Sequence, residues 1–170
     1  MAPMFLAGCF FGADPLPPSD RPDANLTPDA PPPPPDAPPP NVCKDAKDNQ
    51  ATGEHNPGLD CQAGNCHGPA SQNPAAPQWT ISGTLYAAPT GATIVKYGIV
   101  SIVDADGVKI DLVTAQNGNF YTSAPLKFPV RVYASKCPAI KEMSGSVLQG
   151  SCNACHTAAS ATGQVSLPPQ

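Results

Sequence analysis

The chain has 170 residues, with 24 prolines, 14 glycines and 7 cysteines, and 13 acidic against 9 basic side chains give a formal charge of -4. Scattered Lys and Arg in an acidic chain of pI about 5.1 exclude a nucleic-acid binder that works through a basic stripe of phosphate contacts. No run approaches the roughly 18 apolar residues of a transmembrane helix, and the length suits one domain with a tail. In chain order, residues 1–9 end in Leu6-Ala7-Gly8-Cys9. Residues 10–42 form a Pro/Asp-rich segment, and more than half of all prolines fall between Asp14 and Asn41. Pro, Asp, Ala and Ser cannot bury enough apolar surface to offset the entropy of ordering, so this segment is expected to be a disordered, extended linker with a reach of about 85 Å.

Residues 78–136 read as strands. Ile81 to Leu85 forms the first, and the β-branched run Ile99, Val100, Ile102 and Val103 the second. The turn signal Asp106-Gly107 leads into Val108, Ile110 and Leu112, which alternate with Lys109 and Asp111 as in a hairpin. Asn117-Gly118 turns into Phe120-Tyr121, and Phe128, Val130 and Val132 alternate again. About five short strands at regular spacing predict a mainly β fold, a small Greek-key-like β-sandwich. The segments on either side, 43–77 and 137–170, are rich in Gly, Asn, Ser and Ala. They read as loops with one helical turn at Cys152 to Ala158.

The seven cysteines are Cys9, Cys43, Cys61, Cys66, Cys137, Cys152 and Cys155. Cys152-Asn-Ala-Cys155-His156 is the C-x-x-C-H pattern of c-type haem attachment: two thiols add across two vinyl groups and the next residue is placed under the iron. Cys61-Gln-Ala-Gly-Asn-Cys66-His67 repeats the logic with four intervening residues. It resembles the multihaem cytochromes of sulfate-reducing bacteria, which use both spacings. The resemblance implies two covalently attached c-type haems on Cys61, Cys66, Cys152 and Cys155, with His67 and His156 as axial iron ligands. A thioredoxin-like pair would open a helix after a strand, a pattern missing here. A four-cysteine zinc site on Cys61, Cys66, Cys152 and Cys155 remains an alternative that leaves both histidines without a role.

Only one further histidine exists, His55. Lying shortly ahead of Cys61, it is expected to be the sixth ligand of one haem, its own or the neighbour's. The other iron then lacks a histidine; Met143, a partner's side chain or an open position remains, and Met143 is the weak candidate. Methionine ligation would raise the potential relative to bis-histidine.

Leu6-Ala7-Gly8-Cys9 resembles a bacterial lipobox, which implies that Cys9 is cleaved to the N-terminus and lipidated. The charged n-region and longer apolar stretch are missing, so a start upstream of Met1 is expected. Phe10 follows Cys9 where an aspartate would favour inner-membrane retention in those lipoproteins, so the expected place is the outer membrane or cell surface. With Cys9 acylated and four thiols on haems, Cys43 and Cys137 remain as an even pair for a disulfide in an oxidising compartment.

The run from Ile81-Ser82-Gly83-Thr84 through Asp104-Ala105-Asp106-Gly107 to Asn117-Gly118-Asn119-Phe120-Tyr121 is similar to the carboxypeptidase regulatory-like and transthyretin-like modules. The resemblance implies a structural sandwich without catalysis.

Together these residues lead to the expectation of a dihaem c-type cytochrome that is an electron carrier and not an enzyme, held at the bacterial envelope by a lipid anchor only. It would exchange electrons with other redox proteins or an external acceptor. A homopolymer through inter-subunit haem ligation is a further expectation. The alternatives are a structural or adhesive surface lipoprotein with disulfides or zinc, and a haem-based sensor or peroxidase with an open iron.

Overall fold

Asp106-Gly107 does close a hairpin. Strands β2 (Ile99–Val103) and β3 (Lys109–Val113) run antiparallel, with Val103 opposite Lys109 and Ile99 opposite Val113. The Asp104 carboxylate accepts the N–H groups of Asp106 and Val108, and Gly107 supplies the positive φ of 81° that the turn requires. Val108 sits in this loop and is 54% exposed, so the inward alternation begins at Ile110 rather than at Val108.

The computed structural model describes residues 43, 44, 46 and 55–168, all within the compact unit Pro40–Gln170. The linker and the Cys9 lipobox lie outside the described residues. Among the described residues the fold is mainly β, with six strands in two antiparallel sheets and one helical turn. The larger sheet has the order β3-β2-β5-β6, with β5 at Arg131–Lys136 and β6 at Ala139–Glu142. The smaller pairs β1 (Ile81–Thr84) with β4 (Asn119–Thr122), Thr84 opposite Asn119 and Ile81 opposite Thr122. Asn117-Gly118 therefore turns the chain into the other sheet, not back along β3.

A single hydrophobic cluster joins the sheets. Ile81, Leu85 and Phe120 from the β1–β4 side meet Val100, Ile102, Val130, Val132 and Ala134 from the larger sheet. Such packed apolar contact is the main stabilising contribution in a small sandwich. Strand β5 begins at Arg131 because Pro129 has no N–H for a ladder, while Val130 pairs through both backbone groups with Val147. Strand β6 extends the sheet beyond residue 136, into the stretch the composition assigns to loop.

Cys137 sits on the β5–β6 turn and is bonded to Cys43, with a Cα–Cα distance of 5.4 Å. The residues after Cys43 follow the same sheet. Lys44 pairs with Asp111 at 2.6 Å, Ser135 Oγ donates to the Lys44 carbonyl at 2.8 Å, and Ala46 N–H donates to the Tyr97 carbonyl.

Candidate functional site

The stretch from Cys61 to His67 closes on itself. Ala63 N–H donates to the Asp60 carbonyl, Cys66 N–H to that of Ala63, and His67 N–H to that of Cys61 at 2.9 Å. Two glycines permit this: Gly64 takes a φ of 59°, and a Cβ on Gly68 would collide with the Gln62 carbonyl. His67 is buried, and its Nδ1 lies 2.8 Å from the Pro77 carbonyl oxygen. A carbonyl only accepts, so Nδ1 carries the proton and Nε2 keeps the lone pair. The ring stacks on Trp79 with centroids 3.4 Å apart and planes within 4°, and Trp79 stacks on Tyr121 at 4.3 Å. The exposed His55 ring lies 5.8 Å from that of His67, tilted by 35°. Its backbone is held there by Asn119 Nδ2, which donates to the His55 carbonyl at 2.8 Å.

The second motif is the helical turn α1, Cys152–Cys155. It ends where His156 N–H donates to the Cys152 carbonyl at 2.9 Å, shorter than the predicted turn to Ala158. His156 repeats the arrangement of His67: its Nδ1 is 2.9 Å from the Gly163 carbonyl oxygen, which leaves Nε2 as the basic nitrogen. Gln149 Nε2 contacts Cys155 Sγ at 3.6 Å.

The two motifs are stitched to each other. Ser151 Oγ hydrogen-bonds the Asp60 carboxylate. Asn153, between the cysteines of α1 and buried, accepts the Thr84 N–H on Oδ1 at 3.1 Å. Its Nδ2 donates to the Leu59 carbonyl at 2.8 Å and to Thr84 Oγ1 at 3.1 Å. Burial, with a smaller contribution from the nearby Cys61, pushes the Cys152 thiol up to about 12. Burial likewise raises Cys61, while Cys66 is exposed. Cys61, Cys66 and Cys152 are free thiols. At neutral pH the two buried sulfurs are therefore protonated.

Glycines let α1 lie this close to β1. A Cβ on Gly83 would come within 2.9 Å of the Cys152 Cβ, and one on Gly150 would strike the Thr80 carbonyl. Gly150→Ala is expected to cost about 1–3 kcal/mol through forced backbone displacement and to loosen α1. Denaturant unfolding monitored by circular dichroism measures the first effect, and faster alkylation of Cys152 the second.

The structure thus brings together Cys61, Cys66, His67 and His55, and sets Cys152, Cys155 and His156 against them through Asn153 and Ser151. Met143 goes elsewhere. It packs against the hydrophobic cluster, and its N–H donates to the Val132 carbonyl, the setting of an ordinary apolar side chain. Among the described residues no group of three or more His, Cys, Asp or Glu side chains is arranged to hold a metal ion. No helix among them is long and apolar enough to cross a membrane.

Sequence reasoning missed the His67–Trp79–Tyr121 stack, the Asn153 clamp and two exposed leucines. Leu59 is 62% and Leu148 72% exposed. Leu59 offers its carbonyl to Asn153, and Leu148 precedes the Gln149 that touches Cys155, so both flank the second motif. The aromatic spacing Trp79 to Tyr121 carries no local signal, because the two meet only across the paired strands. No family model, no curated protein and no solved structure matches the chain.

Proposed function

We propose that this protein is a dihaem c-type cytochrome that transfers single electrons outside the cytoplasm. One observation carries the reading: each of the two histidines that follow a cysteine pair has its Nδ1 tied to a backbone carbonyl, Pro77 for His67 and Gly163 for His156. That is the outer-sphere arrangement that fixes tautomer and ring orientation in metal-ligating histidines. In this reading His67 and His156 each offer Nε2 to an iron. The free thiols of Cys61, Cys66 and Cys152 would each add S–H across a vinyl C=C with no leaving group, whereas Cys155, disulfide-bonded in this structure, would do so only after two-electron reduction by a thiol reductant. When bound, the haem iron supplies reversible one-electron exchange at a potential set by ligands and burial.

The chain's own residues do the rest. Trp79 and Pro77 hold the His67 plane. The exposed Leu59 and Leu148 are suited to cover an apolar porphyrin face. Because Cys152 is tucked between Gly83 and Cys61, attachment there must precede the docking of α1 on β1. The contacts from Asp60 and Leu59 to Ser151 and Asn153 give the two haems a shared wall, which favours rapid electron exchange between them. Lipidation at Cys9, anchorage at the outer membrane or surface, and exchange with other redox proteins or an external acceptor complete the proposal.

A second reading, a structural surface lipoprotein, is favoured by the disulfide bonding of Cys43, Cys137 and Cys155, which takes Cys155 out of haem attachment. One experiment separates the two. The full chain, exported in a bacterium that matures c-type cytochromes, is expected to show the denatured mass of the polypeptide plus two haems, with sharp reduced-minus-oxidised bands. One haem would remove the Cys61–Cys66 site. A colourless protein at polypeptide mass, less the hydrogens of its disulfides, would replace the cytochrome with the structural lipoprotein.

A further inference from the structure

We infer that Trp79 and Tyr121 form the path by which an electron passes between the iron held by His67 and the protein surface. The inference rests on the haem reading of the first motif alone, where Cys61 and Cys66 are free thiols, and deepens it by assigning two residues to the transfer step.

The way the three rings meet carries the argument. Aromatic pairs that only bury area settle offset or edge-to-face, with centroids about 4.5–7 Å apart. Here the His67 and Trp79 centroids are 3.4 Å apart with planes within 4°, and those of Trp79 and Tyr121 are 4.3 Å apart with planes within 13°. Face-to-face contact this close overlaps the π orbitals from the imidazole through the indole to the phenol. Electron tunnelling falls exponentially with each gap it must cross, so a column without gaps is the favoured route.

The backbone mounts this column. The Trp79 N–H donates to the His67 carbonyl at 2.8 Å, and the Thr80 N–H donates to the Thr122 carbonyl at 2.8 Å. The first bond fixes Trp79 beside His67, and the second fixes it beside the strand that carries Tyr121. The His67 ring cannot turn out of the stack without losing the Pro77 carbonyl from its Nδ1.

The column ends on an uncharged surface. Residues 61–80 and 112–126 contain no Asp, Glu, Lys or Arg. Trp79 and Tyr121 are half-buried, while Pro77, Gln78 and Ser123 beside them in the chain are exposed. An oxidant of either charge sign therefore meets this end without electrostatic steering. In the step itself one electron leaves the ferrous iron, which becomes ferric, and reduces an outer-sphere metal complex. No bond forms or breaks and no proton moves.

The test is stopped-flow reoxidation of the reduced full-length holoprotein by a cationic cobalt(III) tris-phenanthroline complex and, separately, by ferricyanide. The phase that disappears in Cys61→Ser with Cys66→Ser belongs to this haem. Trp79→Leu and Tyr121→Leu are each expected to slow that phase by about tenfold or more, whereas Trp79→Phe and Tyr121→Phe, which keep a ring in the column, should restore most of the rate. Midpoint potential and reduced-minus-oxidised spectrum should stay those of the wild type, and the wild-type rates should change little with ionic strength. In the haem-free chain, the near-ultraviolet circular dichroism of the stacked Trp79–Tyr121 pair should fall in Tyr121→Leu. Wild-type rates in both leucine variants, or rates that follow ionic strength in opposite senses for the two oxidants, would overturn the path and leave the haem reading intact. Slowing accompanied by a shifted potential would overturn it in favour of a structural role, and an unchanged dichroism would overturn the stack itself. A colourless preparation would overturn both path and haem reading.

Discussion

Asn153→Ala is expected to destabilise the protein by about 2–4 kcal/mol and to separate the two motifs. Asn153 lies between the cysteines of α1, yet its amide makes three hydrogen bonds outside its own turn, one accepted from Thr84 N–H and two donated to Leu59 and Thr84. Each contributes about 1 kcal/mol net, and the fully buried Thr84 would be left with an unsatisfied N–H, which costs about 1–3 kcal/mol by itself. Denaturant unfolding of the haem-free protein reads this loss. A second readout follows from position: with α1 released from β1, Cys152 gains water and its thiol should fall from about 12 toward an ordinary cysteine value. Alkylation rate against pH would show it. Asn153→Asp should not rescue, since a carboxylate keeps the acceptor for Thr84 but places charge opposite the Leu59 carbonyl. Unchanged stability and unchanged Cys152 reactivity would show that Ser151 and Asp60 alone hold the motifs together.

Much of the sheet was legible because its signals are local. Asp106-Gly107 and Asn117-Gly118 announce turns whatever surrounds them, since both glycines adopt positive φ. The β-branched run at 99–103 matches β2 residue for residue. What a turn signal does not carry is the partner of the strand it starts. Asn117-Gly118 delivers β4 to β1, more than thirty residues back along the chain, so the division into two sheets stayed hidden. Strand β6 was missed for a related reason. In Ala139–Glu142 only Ile140 is a strong strand former, and the stretch becomes a strand because β5 offers it a free edge after the Cys137–Pro138 reversal. Val108 failed in the opposite sense: its alternation with Ile110 is real, but the Asp104 carboxylate captures its N–H and holds it in the loop.

The candidate site divides in the same way. Cysteine pairs followed by histidine are readable because attachment chemistry demands neighbours in sequence. The carbonyls that orient those histidines are not, since Pro77 and Gly163 become partners only when their loops close. Asn153 occupies a position that the motif leaves unspecified, and its partners lie 69 and 94 residues away. His55 was recognisable as a ligand candidate, while its proximity to His67 depends on Asn119 at the start of β4.

Removing the Cys43–Cys137 bridge by the double change Cys43→Ser and Cys137→Ser is expected to cost about 4–5 kcal/mol. The two cysteines are 94 residues apart, and in the chain-entropy model a loop of that length removes about that much freedom from the unfolded chain. For a domain whose total stability is about 5–15 kcal/mol, the loss lowers Tm by roughly 10–20 °C. Thermal unfolding of wild type and double variant, with and without reductant, measures it. Reductant should lower the wild type toward the variant, and any shift it causes in the variant reads the separate disulfide of Cys155. A cost under about 1 kcal/mol would mean that residual structure already restricts the unbridged unfolded chain. The position of the bridge links this stability to the proposed function. It fastens the start of the segment that leads to His55 onto the β5–β6 turn, and Asp60 and Leu59 fasten that segment's later part to α1.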